Sequence, residues 1–334
     1  MIPQLFPHVD HAGDGRSVLT IGNFDGVHRG HQYLLGEVVN AARAQQLQSV
    51  ALTFEPLPLE VLRPDVSPPR LSATADRLQL IRDLGIDEVA PITFTSDVAA
   101  LEARQFVEQV VSAFHPTELI VGADFAFGRG RSGNIDVLRQ LGEEFGYALR
   151  VIERIGDDDQ DFSSSRIRAS LSEGDVKQAA DLLGRPYLLR GTVVQGQRRG
   201  RELGFPTANL ALSGKLLVPE NGIYAAFSRT LHDERLVPSM VYVGTNPTFD
   251  EHARVVEVNL IDFDADLYGS ELAVLFVDRV RGDQRFDGVD QLIAQMHRDQ
   301  DETIAQLRTL PDGWPGESMR LLLGIGKGAL TGDR

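Results

Sequence analysis

Apolar residues fall into two rhythms along this 334-residue chain. As far as residue 183, short apolar runs alternate with segments whose apolar positions recur every three to four residues. The runs at 18–21, 49–54, 88–94, 118–121 and 148–152 read as strands. Helices are predicted between them over 30–46, 74–84, 101–114 and 136–145. The third of these places Phe106, Val107, Val110, Val111 and Phe114 on one side. Such alternation predicts a mostly parallel sheet covered on both faces, an α/β domain of Rossmann-like type. Two short helical segments follow, at 166–171 and 175–183, and Gly184-Arg185-Pro186 then breaks the pattern.

Beyond Tyr187 the rhythm shortens. Strand-like runs at 188–194, 223–229, 236–243, 255–262 and 273–280 are separated by Gly, Pro, Asn and Asp, which predicts an all-β sandwich or barrel. A long helix over 288–309, with Val289, Leu292, Ile293, Met296, Ile304 and Leu307 as apolar positions, is expected to pack across it. The expected division is a first domain at 1–184, a second at 187–310 and a tail at 311–334, for which the pattern gives no reading.

Composition narrows the function classes. A chain of this length exceeds what one core usually organises, in accord with two domains. There are no cysteines, which excludes disulfides, thiolate metal sites and cysteine nucleophiles. No apolar run reaches membrane-spanning length, and residues 1–16 lack the basic start and apolar core of a signal peptide, so a cytoplasmic protein is expected. A net charge of −15 argues against nucleic-acid or membrane partners, while leaving room for a local basic pocket. Self-association is left open.

The richest stretch chemically is 20–34, TIGNFDGVHRGHQYL. An apolar run ends in Gly22, a tight turn follows, and His28 and His31 stand at the start of a helix. A strand, a glycine turn and a helix N-terminus together form a ready anion site, and Gly30 lets backbone approach phosphates. Ser163, Ser164, Ser165, Arg166 and Arg168 form a second candidate. Alone they read as a helix cap with solvated arginines; paired with H-x-G-H in one expected domain they favour polyphosphate. Gly128, Gly130 and Gly133 spell G-x-G-x-x-G, but they do not follow the first strand of a βαβ unit, so a dinucleotide site is not expected. In the second half, the Pro206–Asn209 segment read alone is a turn entering a strand, and Glu257 is an outward-facing strand residue.

Longer motifs change that reading. GNFDGVHRGH at 22–31, TFEPLP at 53–58, GADFAFGRGRSG at 122–133 and SSSRIR at 163–168 are joined by GRELGFPTANL at 200–210, GIYAA at 222–226, VGTNPTF at 243–249, VEVNLIDFDADLYG at 256–269 and FVDRVRGDQRF at 276–286. From residue 18 to residue 310 the chain closely resembles the bacterial bifunctional riboflavin kinase/FMN adenylyltransferases (FAD synthetases). H-x-G-H is shared by many nucleotidyltransferases; GFPTAN with VGTNPTF is far more specific. One departure is Leu57, where the related segment commonly has a histidine.

The resemblance implies a nucleotidyltransferase-like domain followed by a riboflavin kinase-like barrel with a long closing helix. It implies phosphorylation of riboflavin by ATP to FMN, then adenylylation of FMN to FAD with release of pyrophosphate. His28 and His31 would act on the ATP phosphates, with Gly22, Phe24, Gly30, Ser164, Ser165 and Arg168 in the same ATP site. Asp124 and Phe127 would line the FMN side. In the kinase, Glu257 would be the base on the riboflavin 5′-hydroxyl. Thr207 and Asn209 would hold Mg²⁺-ATP with Gly200 and Arg201, and Arg281 would close on the flavin. The implied partners are riboflavin, FMN and ATP. Competing readings are a kinase with a weakened first domain and a non-catalytic flavin-binding regulator.

Overall fold

A computed structural model describes residues 3–6, 15–157, 160–196, 200, 203–230, 235–245, 254–311 and 313–324. The chain divides into two compact units, Met1–Pro68 with Thr74–Phe162, and Pro69–Ala73 with Ser163–Arg334.

The first unit is built on five parallel strands, β1 (Ser17–Ile21), β2 (Gln48–Glu55), β3 (Glu88–Thr93), β4 (Pro116–Gly122) and β5 (Ala148–Ile152), in the order β3-β2-β1-β4-β5. Every residue of β1 is buried, as a central strand covered on both faces requires. Helices α1 (Arg29–Gln45), α2 (Pro58–Leu62), α3 (Thr74–Asp83), α4 (Ser96–Ala99), α5 (Ala103–Phe114) and α6 (Ile135–Phe145) connect the strands. The apolar side predicted for the third helix packs as expected: Phe106, Val107, Val110 and Phe114 of α5 join Leu19, Leu52, Ile92 and Val121 in one core. Local chemistry sets the helix ends. Asn134 accepts from the Val137 N–H to start α6, and Gly146, at φ 83°, ends it. The strand order reverses between β1 and β4, and in open parallel sheets ligands bind at the carboxyl ends of such strands. Two short strands, β6 (Gly156–Asp157) and β7 (Gln160–Asp161), pair antiparallel.

The second unit is a closed antiparallel barrel. Its strands β8 (Tyr187–Val194), β9 (Ala208–Leu212), β10 (Gly222–Thr230), β11 (Val237–Thr245), β12 (Arg254–Leu260) and β13 (Glu271–Arg281) run β10-β11-β12-β9-β8-β13 and back to β10. Helices α7 (Ser164–Ser172) and α8 (Val176–Leu183) belong to this unit, and Lys177 of α8 pairs with Asp278 of β13 at 2.5 Å. The long helix α9 (Val289–Leu307) lies against β10, β11 and β13. A last helix, α10 (Glu317–Leu323), covers another face: Met319 and Leu323 are buried with Leu236, Ala273 and Leu275. Residues 69–73 lend this unit an edge. The Arg70 N–H donates to the Lys215 carbonyl at 2.7 Å, and the Leu217 N–H donates to the Arg70 carbonyl at 2.8 Å.

Candidate active sites

In the first unit the predicted phosphate stretch stands at the carboxyl end of β1. The Gly22 N–H donates to the Leu52 carbonyl at 3.0 Å, carrying sheet pairing one residue past the strand. A side chain at Gly22 would meet the Phe24 ring at 2.8 Å, so the turn folds back over its own start only with glycine there. Phe24 is buried, and its ring meets His31 edge-on at 5.3 Å. Its side chain therefore supports the histidines from beneath. His28 is the N-cap of α1: its Nδ1 accepts from the His31 N–H at 3.4 Å. That bond assigns the proton of a neutral His28 ring to Nε2, leaving Nε2 as a donor. The two imidazoles stack at 3.7 Å, and a side chain at Gly30 would come within 3.2 Å of the His28 ring. The pair thus stands at the first helical turn, where the His31 and Gln32 N–H groups both donate to His28.

The adjacent strand end supplies the residues expected on the flavin side. Asp124, largely exposed, pairs with Arg154 at 3.0 Å, and Arg154 also holds Asp161 at 3.0 Å. Phe127 is buried between Phe106 and Phe125, and its backbone bridges Gly133. The G-x-G-x-x-G run is this turn, with a 3₁₀ segment at Arg129–Arg131, and it follows the fourth strand of the chain rather than the first strand of a dinucleotide-binding unit. Leu57 is buried at the start of α2, where its N–H donates to Glu60.

The serine-rich stretch lies in the second unit. The Ser163 hydroxyl caps α7 by accepting from the Arg166 N–H, and Ser164 and Ser165 form its first turn. The Arg168 Nε donates to the Pro69 carbonyl at 2.8 Å.

The barrel brings its predicted residues together on one rung. Asn209 of β9 and Tyr242 of β11 flank Glu257 of β12 in register, and residues paired across a sheet share a face. The Thr207 hydroxyl donates to Glu257 Oε2 at 3.3 Å. Burial raises the Glu257 carboxyl above its ordinary value, and the Thr207 hydrogen bond partly opposes this. Burial also raises Tyr242. The Gly200 carbonyl accepts from the Leu203 and Phe205 N–H groups and closes the preceding loop. A side chain at Gly200 would strike the Phe205 carbonyl at 2.3 Å, and one at Gly196 would occupy the place of the Asn209 amide, 2.1 Å away. Arg281, at the end of β13, donates through Nε and Nη2 to Asp299 of α9, at 2.8 to 3.0 Å. Arg201 and residues 246–249 of the VGTNPTF motif lie outside the described residues.

Two family models divide the chain much as its geometry does, FAD synthetase over residues 10–166 and riboflavin kinase over residues 183–307. The bifunctional riboflavin kinase/FMN adenylyltransferase of Escherichia coli (strain K12) is 37% identical over 284 residues, 85% of this chain and 90% of its own length. The chain belongs to the bifunctional riboflavin kinase/FMN adenylyltransferase family. The enzyme of that name from Bacillus subtilis (strain 168) is 32% identical, spanning 91% of this chain and 96% of its own. A crystal structure described as a macrolide-efflux protein from Streptococcus pneumoniae has a TM-score of 0.80 at 33% identity, covering 90% of this chain and 97% of that one. Among the described residues no helix is long and apolar enough to cross a membrane.

As a riboflavin kinase/FMN adenylyltransferase the protein uses ATP twice, first on riboflavin and then on FMN. Three supporting residues escape a reading of its sequence. Asp299 is an acid within an amphipathic helix, Gly196 lies outside the motifs, and Asn259 reads as ordinary strand, although its Nδ2 fixes the Pro206 carbonyl at 2.8 Å. The alternation at Glu257 and Asn259 was the one available signal, since it sets both side chains on the face of the candidate base.

Proposed function

We propose that Glu257 is the general base of the kinase reaction, taking the proton of the riboflavin 5′-hydroxyl as oxygen attacks the ATP γ-phosphorus. The observation that carries this is a partly buried carboxylate, raised by burial, on one rung with Asn209 and hydrogen-bonded by Thr207. The Thr207 hydroxyl and Asn209 amide oxygen are hard donors and fit Mg²⁺, which keeps waters and phosphate oxygens in its remaining positions. When bound, Mg²⁺ neutralises phosphate charge. Gly200 and Arg201 are assigned to the same nucleotide, and Arg281 to the flavin.

For adenylyl transfer, His28 donates from Nε2 and His31 joins it on the ATP phosphates, with α1 N–H groups and Gly22, Phe24 and Gly30 shaping the turn. Ser164, Ser165 and Arg168 are further ATP ligands, and Asp124 and Phe127 belong to the FMN side. No protein nucleophile is required: an FMN phosphate oxygen attacks the ATP α-phosphorus as the bond to the β-phosphate breaks and pyrophosphate leaves, and the protein positions the reactants and offsets charge. We assign this reaction to residues 1–184 and the kinase reaction to residues 187–310. A cytoplasmic location agrees with the absence of cysteine.

Two substitutions test the assignment. In the presence of riboflavin, ATP and Mg²⁺, Glu257→Gln is expected to abolish FMN formation while FMN supplied directly is still converted to FAD. His28→Ala is expected to do the reverse. Chromatography of the flavins reads both; loss of both activities in either folded variant overturns the two-site assignment.

A further inference from the structure

We propose that Arg77 is a positioning residue for adenylyl transfer, holding the turn before α1 in the shape that presents His28 and His31. This rests on the phosphate-site reading given above. Arg77 lies on α3, outside every motif named above, and only 1% of its side chain is exposed. A guanidinium is seldom buried so completely unless its donors are used. Arg77 Nη1 donates to the Asn23 carbonyl at 3.2 Å, and Nη2 donates to the Phe54 carbonyl and to Glu55 Oε2, both at 2.9 Å. The Thr53 hydroxyl donates to the same Asn23 carbonyl at 3.2 Å, and the Thr74 hydroxyl donates to Glu55 Oε2 at 2.8 Å.

These contacts meet at one place, the carboxyl ends of β1 and β2. Asn23 lies between Gly22 and Phe24, in the turn that leads to His28. That turn is backbone of an unusual kind: Phe24 has φ 50° and Val27 has φ 41°. Bulky and β-branched residues rarely adopt such values, which persist where surrounding structure over-determines them. Arg77 supplies that constraint. Its planar fork reaches the Asn23 carbonyl in the turn, the Phe54 carbonyl of β2 and the Glu55 carboxylate at once, which neither an apolar residue nor an ammonium does. A side chain serving packing alone has no need of a charge at this site.

The test uses the full chain carrying Arg77→Met, Arg77→Lys or Thr53→Val, with both activities measured below the melting temperature. Arg77→Met is expected to lower kcat for FMN adenylylation at least about 10-fold, toward the roughly 100-fold that a 1 Å misplacement costs. The KM for ATP should change less, and riboflavin phosphorylation should be unchanged. Arg77→Lys should restore part of the loss, and Thr53→Val should give a smaller loss of the same kind. A folded Arg77→Met with wild-type adenylylation kcat overturns the proposal, as does a loss that merely follows the folded fraction seen by circular dichroism. Should Arg77→Met not fold, Arg77→Lys and Thr53→Val decide: both folded with wild-type kcat also overturns it. His28→Ala in the same assay separates the two claims. If His28→Ala keeps adenylylation, the site reading itself fails; if His28→Ala removes it and Arg77→Met spares it, only the role of Arg77 falls.

Discussion

Glu257 holds its proton more tightly than an exposed carboxylate because burial penalises the charged form. Two consequences follow. The base must be ionised to act, so riboflavin phosphorylation should fall as pH drops through a value above the ordinary 4.5. Thr207→Val removes the hydrogen bond that favours the carboxylate, and should move this acid limb of the kcat profile to higher pH. The sign for stability is opposite to that of a salt-bridged acid. A folded-state value above the unfolded one means that the folded chain binds the proton more tightly, so stability declines as pH rises between the two. Glu257→Gln should therefore raise the melting temperature at neutral pH, with the gain vanishing in acid. At this scale the sequence was informative where one motif contained a whole geometry: His28 and His31 are three residues apart and stack as a unit. It was silent where the partner lies elsewhere in the chain, as for Arg77 with Asn23 or Arg281 with Asp299.

One buried carboxylate makes the polar tie between β13 and α9, beside the apolar cluster that holds Val277 and Leu307. Asp299 is 2% exposed and accepts from Arg281 and Gln295. Asp299→Ala leaves a guanidinium facing a vacated site, and breaking a buried pair from one side costs about 3–5 kcal/mol. Urea unfolding of the barrel should show that loss. Met319 of α10 gives a second measure: it is fully buried, and its replacement by Ala should cost about 2–5 kcal/mol. The main elements were foreseeable because their periods of two and 3.6 are strong. β9 was foreseeable only as the strand that the Pro206–Asn209 turn enters, without bounds, and it pairs over short stretches with β8 and β12. α10 was not, because a seven-residue helix among glycines has too few turns to show a period. Its stability comes from packing against Leu236 and Leu275.

For the molecule as a whole, the two family models fall largely on the two compact units, and the change of rhythm near residue 187 made the second fold foreseeable. The sequence contains a single tryptophan, Trp314, which packs against Phe227 in the second unit. Its fluorescence should therefore follow unfolding of the barrel unit, while circular dichroism follows both units. On heating, loss of kinase activity should coincide with the fluorescence transition.

Residues 69–73 belong to the barrel unit but are encoded within the first half of the gene, so the two units are interleaved along the message. No single scission of the reading frame yields two fragments that each contain all of their own unit. A gene split near residue 186 would give a barrel fragment without its Arg70 edge pairing at Lys215 and Leu217, and without α7 and α8. That fragment should melt at a lower temperature than the barrel of the intact chain, by the Trp314 signal. Gene fission would thus carry a stability penalty, which favours keeping both activities on one polypeptide.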